Sequence, residues 1–469
     1  MNRLLISSAV IAATILSPIA QASAETLTDA LAVAYRTNPT IRAERAQFRA
    51  TRELKAQAWA GALPQVSASA SIEQNNTTNT SLFNTPTDAS GNPILGADGL
   101  PLPPEPQSVE FTPITAGVSA EQPVFTGLRN LNAIRQAKAR VRAGGARLVS
   151  VEQQVLQQAA TAYFDVLRDS QVYDANLGNV KVLLRQQDEA ALRFEVGEIT
   201  KTDVAQAEAR LAGARSQLAA AQAQLAVSRS VYRQMIGEMP GTLDDDPALP
   251  DVPETEEQAQ NFAKVFAPAI VSATETEEAS RRQVSIAKGV LLPSVSLTAR
   301  YQYAEDPNFF VQNDEQFVYG AQASIPIFQG GLNYSRIREA KALNDADRRR
   351  IEEAERQVSA AVSGAWEQLQ AARVTIASAR AQVEANTLAL EGVRRENQVG
   401  ARTTLDVLNA EQELLNANVS LANAERDERA AVFSLLASAG LLTPEAAGLT
   451  VDEGGADGAA VNDAAEVVQ

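Results

Sequence analysis

Two threonine–carboxylate pairs recur in this chain at one spacing: Thr200 with Asp203, and Thr403 with Asp406. A Thr followed by an acid three residues later, at the start of a helical run, is a capping box. The hydroxyl accepts from the backbone N–H of the third helical residue, and the carboxylate accepts from the cap's own N–H. The negative charge then sits at the positive end of the helix. This is chemistry of charge and hydrogen bonding, not of bond-making. The sequence has no His and no Cys. Ser–His and Cys–His nucleophile pairs, His- or Cys-ligated metals and disulfides are therefore out of reach. We expect no enzyme, no metal and no cofactor. Asp244-Asp245-Asp246 has no ligand spacing around it and reads as a solvated acidic linker. Arg348-Arg349-Arg350 reads as a solvated helix face. The net charge is −16, from 41 basic and 57 acidic side chains. Nucleic-acid binding needs a cationic face, so that balance argues against it.

The paired sites belong to a duplication. Leu63-Pro64-Gln65-Val66-Ser67 returns as Leu292-Pro293-Ser294-Val295-Ser296, an offset of 229 residues (292 minus 63). Pro123-Val124-Phe125-Thr126-Gly127 returns as Pro326-Ile327-Phe328-Gln329-Gly330, an offset of 203 (326 minus 123). The second offset then holds without a gap: Val196-Gly197 meets Val399-Gly400, Thr200, Asp203 and Glu208 meet Thr403, Asp406 and Glu411, and Gly237 meets Gly440. Only two copies exist, so this is a duplicated domain and not a solenoid. The 26-residue difference between the offsets (229 minus 203) places one longer loop between 67 and 123.

Residues 1–24 read as a signal peptide. Arg3 gives the positive end, a short apolar run follows, and Ala22-Ser23-Ala24 fits the small-x-small cleavage pattern. The mature chain would start at Glu25. The first repeat then covers 25–237, an acidic Pro-rich linker 238–256, the second repeat 257–442, and a disordered acidic tail 443–469. Each repeat opens on a broken helix, with Asn38-Pro39 as the break in the first. Alternation follows, with Val66, Ala68, Ala70 and Ile72 on one face and Ser67, Ser69 and Ser71 on the other. Strands are expected at about 64–74 and 111–122, and at about 293–304 and 316–326. Their length and two-faced pattern suit membrane strands with lipid outside and water inside. The Asn-, Thr-, Gly- and Pro-rich stretch from Asn75 to Ser108 is the long loop, and we place it outside the cell. The stretch from Glu305 to Glu315 is the short one.

Long helices must position the capped carboxylates. The chain has no Pro from Arg129 to Glu195 or from Leu332 to Gln398. Each stretch allows one helix of roughly 100 Å at about 1.5 Å per residue. Val196-Gly197 and Val399-Gly400 stop them, since Gly is usual just past a helix end. Returning helices are expected at about 202–236 and 404–439. The first carries a heptad, Val204, Leu211, Leu218, Leu225 and Tyr232, with Ala207, Ala214 and Ala221 beside it. Such a repeat sets a coiled-coil seam. Hydrophobic content is 45 % with only 5 % aromatics, which suits helices packed through Ala, Leu and Val.

Four strands cannot close a barrel, and unpaired edges are not tolerated in lipid. Further copies must complete it. Two copies give eight strands filled by side chains, and three give twelve around a lumen. The helices are too polar for the membrane and must project from it. The turns at Gly197 and Gly400 are then farthest from the bilayer, where Gly allows a partner's backbone to approach.

The run Val399-Gly400-Ala401-Arg402-Thr403-Thr404-Leu405-Asp406-Val407-Leu408, with its partner from Val196-Gly197 to Thr202-Asp203-Val204, resembles the TolC family of outer-membrane channels. The resemblance covers about 25–442. It implies an α+β fold: a duplicated strand–helix subunit, trimeric, forming a 12-stranded outer-membrane β-barrel continuous with a 12-helix periplasmic α-barrel. It implies the outer membrane of a Gram-negative bacterium, and partnership with a periplasmic adaptor and an inner-membrane ABC or proton-driven transporter. Export of secreted proteins or drugs would be the function. The resemblance also puts Arg402 and Asp406 at the tunnel mouth, as closure partner and constricting ring, with Asp203 beside them. Asn409 stands where some relatives carry a second aspartate, and Asn397 where some carry a latching tyrosine. Val196, Gly197, Val399 and Gly400 are the expected adaptor-docking turns. The rival reading is a soluble periplasmic coiled-coil scaffold that treats the hairpins as a small sheet.

Overall fold

The computed structural model describes residues 24–80, 85–308 and 311–449. The signal peptide expected over 1–24 thus lies outside the described residues up to Ala24, as does the expected tail beyond Leu449. The elements run α1 (Leu27–Thr37), α2 (Pro39–Ala60), β1 (Gln65–Ile72), β2 (Asn75–Asn79), β3 (Gln107–Phe111), β4 (Ile114–Phe125), α3 (Arg129–Glu195) and α4 (Lys201–Ile236). The second copy follows as α5 (Glu256–Phe266), α6 (Pro268–Gly289), β5 (Ser294–Asn308), β6 (Val311–Ser324), α7 (Leu332–Gln398) and α8 (Thr404–Ser438). The described residues form two compact units, one of 24–43, 150–267 and 359–449, the other of 44–149 and 268–358.

The second unit holds a four-stranded antiparallel sheet in the order β1-β4-β5-β6. Register sets its faces, because directly paired residues point the same way. Ala68 lies beside Val118, Val118 beside Tyr301, and Tyr301 beside Phe317. The next row on that face is Val66, Ala120, Ala299 and Tyr319. The opposite face carries Ser69, Gly117, Gln302 and Gln316 in one row, and Ser67, Ser119, Arg300 and a lone apolar Val318 in another. Hydrogen bonds join Ser67 to Ser119 at 2.9 Å and Ser71 to Thr115 at 2.7 Å on this polar face. The apolar face is open, with Val66, Phe317 and Tyr319 each more than three-fifths exposed.

The stretch from Asn75 to Ser108 differs from the single loop expected. Its ends form β2 and β3, which pair antiparallel. Asn75 opposite Phe111 continues the register of Ile72 opposite Ile114, so the first hairpin simply runs on past the sheet. Cross-strand pairing overrides the poor strand propensity of Asn here. β5 and β6 also extend farther than expected, to Asn308 and from Val311.

Each strand pair gives way to its long helix through two consecutive left-handed residues. They are Gly127 (φ 63°) and Leu128 (φ 63°) in the first repeat, Gly330 (φ 59°) and Gly331 (φ 83°) in the second. A Cβ on Gly127 would lie 2.3 Å from the carbonyl oxygen of Gly289 at the end of α6, so only Gly fits there. Nearby, Arg142 of α3 pairs with Glu275 of α6 at 2.6 Å, and Gln136 donates to the carbonyl of Ala279 at 3.1 Å.

The first unit is helical. Its centre holds the fully buried Tyr163 and Phe164 of α3, Tyr232 of α4 and Phe433 of α8. Tyr163 and Phe164 meet edge to face with centroids 5.7 Å apart, and Phe164 lies 5.8 Å from Phe433. On α4 the heptad seam buries Ala207, Leu211, Ala214, Ala221, Leu225 and Tyr232. α8 buries two neighbouring rows, Val407 with Ala417, Ala424 and Ala431, and Leu408 with Leu415 and Ala422. From the second row, Leu408 clusters with Leu183 of α3 and with Leu211 and Ala214 of α4. Residues 443–449 also correct the expected tail. They turn back on themselves and bury Ala447 and Leu449, with Leu449 N–H donating to the carbonyl of Pro444 at 2.9 Å. Among the described residues, no helix is long and apolar enough to cross a membrane.

Candidate functional site at the helix turns

Both turns between long helices are built the same way, from their residues. Gly197 (φ 81°) and Gly400 (φ 77°) take the left-handed conformation just past the helix end. Glu198 N–H donates to the carbonyl of Arg193 at 2.9 Å, and Gly197 N–H to that of Phe194 at 3.0 Å. Ala401 and Gly400 repeat this with Glu396 at 2.8 Å and Asn397 at 3.0 Å. These are Schellman motifs, which satisfy the last helical carbonyls. Val196 and Val399, at the helix ends, are more than two-thirds exposed. Among the described residues beyond the immediate chain neighbours, no atom comes within 4 Å of a Cβ built on Gly197 or Gly400, so both turns have free space around them.

The next helices start on capping boxes. Thr200 N–H donates to Asp203 Oδ2 at 2.9 Å, and Thr403 N–H to Asp406 Oδ2 at 3.0 Å. Each Thr hydroxyl donates to the same carboxylate oxygen at 2.8 Å. Hydrogen bonds to the charged form favour it. They hold Asp203 below the usual carboxylate range, chiefly through the Thr200 hydroxyl. Asp406 is lowered too, through the Thr403 N–H first and the hydroxyl second, with Arg402 a minor cause.

Arg402 spends its guanidinium elsewhere. Its Nε donates to Glu396 Oε2 at 2.8 Å, back across the turn. Its carbonyl accepts from Asn397 Nδ2 at 2.9 Å, so Asn397 ties the turn together. The Arg402 charge still favours ionised Asp406 one helical turn on, but its hydrogen bond goes to Glu396. Asn409 Oδ1 accepts from Arg210 Nη2 of α4 at 2.8 Å, joining the two returning helices. The structure therefore gathers Arg402 and Asn397 into one turn, links Asn409 to α4, and leaves Asp203 and Asp406 each in its own cap.

A buried polar cluster behind the turns escaped the sequence reading. Glu411 Oε1 accepts from Arg394 Nη2 of α7 at 3.0 Å and from Gln186 Nε2 of α3. Its Oε2 and Gln186 Oε1 are buried without a partner among the described residues. Burial raises the Glu411 carboxyl above its ordinary value, while Arg394, Gln186 and Arg185 pull the other way. Arg185, Glu189, Asn397 and Thr404 join these residues around a cavity of about 450 Å³. The repeat partner of Glu411 is Glu208, which is exposed. Identical residues at equivalent positions thus meet different surroundings, and no local signal distinguishes them.

The chain is similar to known proteins along most of its length. The family model described as outer membrane efflux protein matches residues 30–238 and 263–441. The outer membrane efflux protein BepC of Brucella suis is 32 % identical over 431 residues, covering 92 % of this chain and 88 % of that one. The alkaline protease secretion protein AprF of Pseudomonas aeruginosa is 23 % identical over 341 residues, 71 % of each chain. In fold, the CmeC outer membrane channel of Campylobacter jejuni superposes with a TM-score of 0.75 over 100 % of this chain and 98 % of that one, at 15 % identity. With its strand pairs, doubled helices and repeated turns all inside the matched span, the chain belongs to the outer membrane efflux protein family.

Proposed function

We propose that three copies of this chain form one outer-membrane channel that exports cargo across periplasm and outer membrane. The observation that carries it is the four-stranded sheet. One face is open and apolar, the other mostly small and polar, and among the described residues its outer strands β1 and β6 have no further neighbour. Such edges need partners in lipid. Three sheets supply twelve strands around a polar lumen, and α3, α4, α7 and α8 of three chains supply twelve tunnel helices. The tunnel mouth is formed by the turns at Gly197 and Gly400, where a periplasmic adaptor docks and links the channel to an inner-membrane ABC or proton-driven transporter. Asp406 from three subunits narrows the mouth. Relatives named for efflux and for alkaline protease secretion support efflux and protein secretion as the two export classes.

Crosslinking the protein in detergent tests this. Trimers are expected, and products no larger than monomers or dimers would sink it. The soluble-scaffold reading predicts release by carbonate washing, whereas the channel stays with the outer membrane.

A further inference from the structure

The residue that follows Ala22-Ser23-Ala24 is held more tightly than any loop position needs. Glu25 N–H donates to the carbonyl of Thr242 at 2.7 Å, and Glu25 pairs with Leu243 as a short parallel bridge. Its own carbonyl accepts from Tyr163 Oη at 2.9 Å and from Asp244 N–H at 3.1 Å. Its carboxylate accepts from Tyr232 Oη at 2.5 Å through Oε1 and from Gly241 N–H at 3.0 Å through Oε2. Tyr163 and Tyr232 are both fully buried at the centre of the helical unit, 6.5 Å apart. Tyr163 Oη also accepts from Asp244 N–H at 3.0 Å. Five donors and acceptors thus converge on one residue, from α3, from α4 and from the linker after α4.

In the uncut precursor Glu25 offers one amide N–H, already used by Thr242. Hydrolysis of the peptide bond between Ala24 and Glu25 leaves a carboxylate on Ala24 and an ammonium on Glu25. An ammonium has three donors and a full charge. Bonds from it to the linker are charge-assisted and stronger than an amide's. The linker beside it is acidic, with Asp244, Asp245 and Asp246 in a row. Burial raises Tyr163 to about 12 and raises Tyr232 as well, so both hydroxyls keep their protons at any working pH and act as donors to Glu25.

We propose that the processed N-terminus is itself a ligand: the ammonium and side-chain carboxylate of Glu25 dock into a socket made by Tyr163, Tyr232 and residues 241–244. Docking pins the linker between the two repeats, and the cut that frees Glu25 tightens it by turning one amide donor into a charged ammonium. This goes beyond the channel reading and does not rest on it.

The test uses the full precursor, exported and purified from the outer membrane. Mass spectrometry of the N-terminus should show Glu25 as the first residue; any other start overturns the socket. Protease that cuts before Asp then probes the linker at Asp244. A Gly-Ser insertion between Ala24 and Glu25 keeps the cleavage pattern and moves the ammonium away. Glu25→Ala removes the carboxylate, and Tyr232→Phe removes one donor while keeping the ring. All three should be cut roughly tenfold faster than the parent, as loss of about one charged hydrogen bond implies. Helix content and oligomer size should be unchanged. An insertion variant as resistant as the parent overturns the reading of the free terminus. Equal resistance in Tyr232→Phe overturns the socket even where Glu25→Ala fails to fold.

Discussion

Asp406 and Glu411 share a helix and are shifted in opposite directions. Asp406 is lowered by its cap, so its contribution to stability is present above the ordinary 3.8 and is lost as pH falls through the lower folded value. The tips therefore stay capped at neutral pH and loosen only in acid. Glu411 is raised by burial from 4.5, so the fold favours its protonated form, and stability falls as pH rises from 4.5 through the folded value. Glu411→Gln should flatten that segment of the pH profile, read from urea midpoints at several pH values; an unaltered profile would assign the slope to another group. For the proposed constriction, Asp406→Ala should weaken cation selectivity and relieve block by trivalent metal ions in reconstituted channels. Asp203→Ala should only speed amide exchange in the first turn of α4, and identical effects from both substitutions would reduce Asp406 to a cap. Thr-x-x-Asp spacing made both caps legible in the sequence, because that motif is local. The Glu396 partner of Arg402 was not legible, because only the folded-back turn brings the two together.

Strands were legible where alternation met pairing. Val66 to Ile72 announces two faces, and the register then stacks four such strands with their apolar faces aligned. β2 and β3 were missed because Asn and Thr signal loop locally, while the ladder beside them imposes extension. Val118→Arg puts a charge in the middle of the apolar face and should destabilise insertion by about 2–4 kcal/mol. Ser69→Arg, on the polar face, should leave the protein in the outer membrane fraction; equal loss of both would mean that neither face meets lipid. Both long helices were legible in extent because no Pro interrupts them and Gly ends them. Gly400→Val forces a branched residue into the left-handed region, a penalty of about 1–2 kcal/mol, but clashes with nothing. Export should stop while trimers still reach the outer membrane, and unchanged export would move the docking site away from this turn. Gly197→Val should act in the same way.

For the whole molecule, the long polar loop gives the clearest test of direction. Gly91 sits in a turn with φ 83° and open space, held by Asp88 accepting from Asn92 N–H at 2.9 Å. A tag inserted there should be labelled on intact cells, and labelling only after the outer membrane is ruptured would reverse the topology. The loop was legible because duplication exposes whatever one copy has and the other lacks. Glu25 has a like residue in the second repeat, Glu254 at the offset of 229, so residue type gave no sign of the socket, which stayed hidden until the fold closed around it. That same duplication gives the chain a built-in control. Because the offset of 203 runs without a gap from Pro123 to Gly237, against Pro326 to Gly440, any substitution at 197, 200 or 203 can be repeated at 400, 403 or 406 in an otherwise identical molecule. Whatever the backbone charges for the change is then shared by both, and cancels. The remaining difference measures only where each copy faces, so a genetic screen in one gene can separate the worth of a motif from the worth of its place.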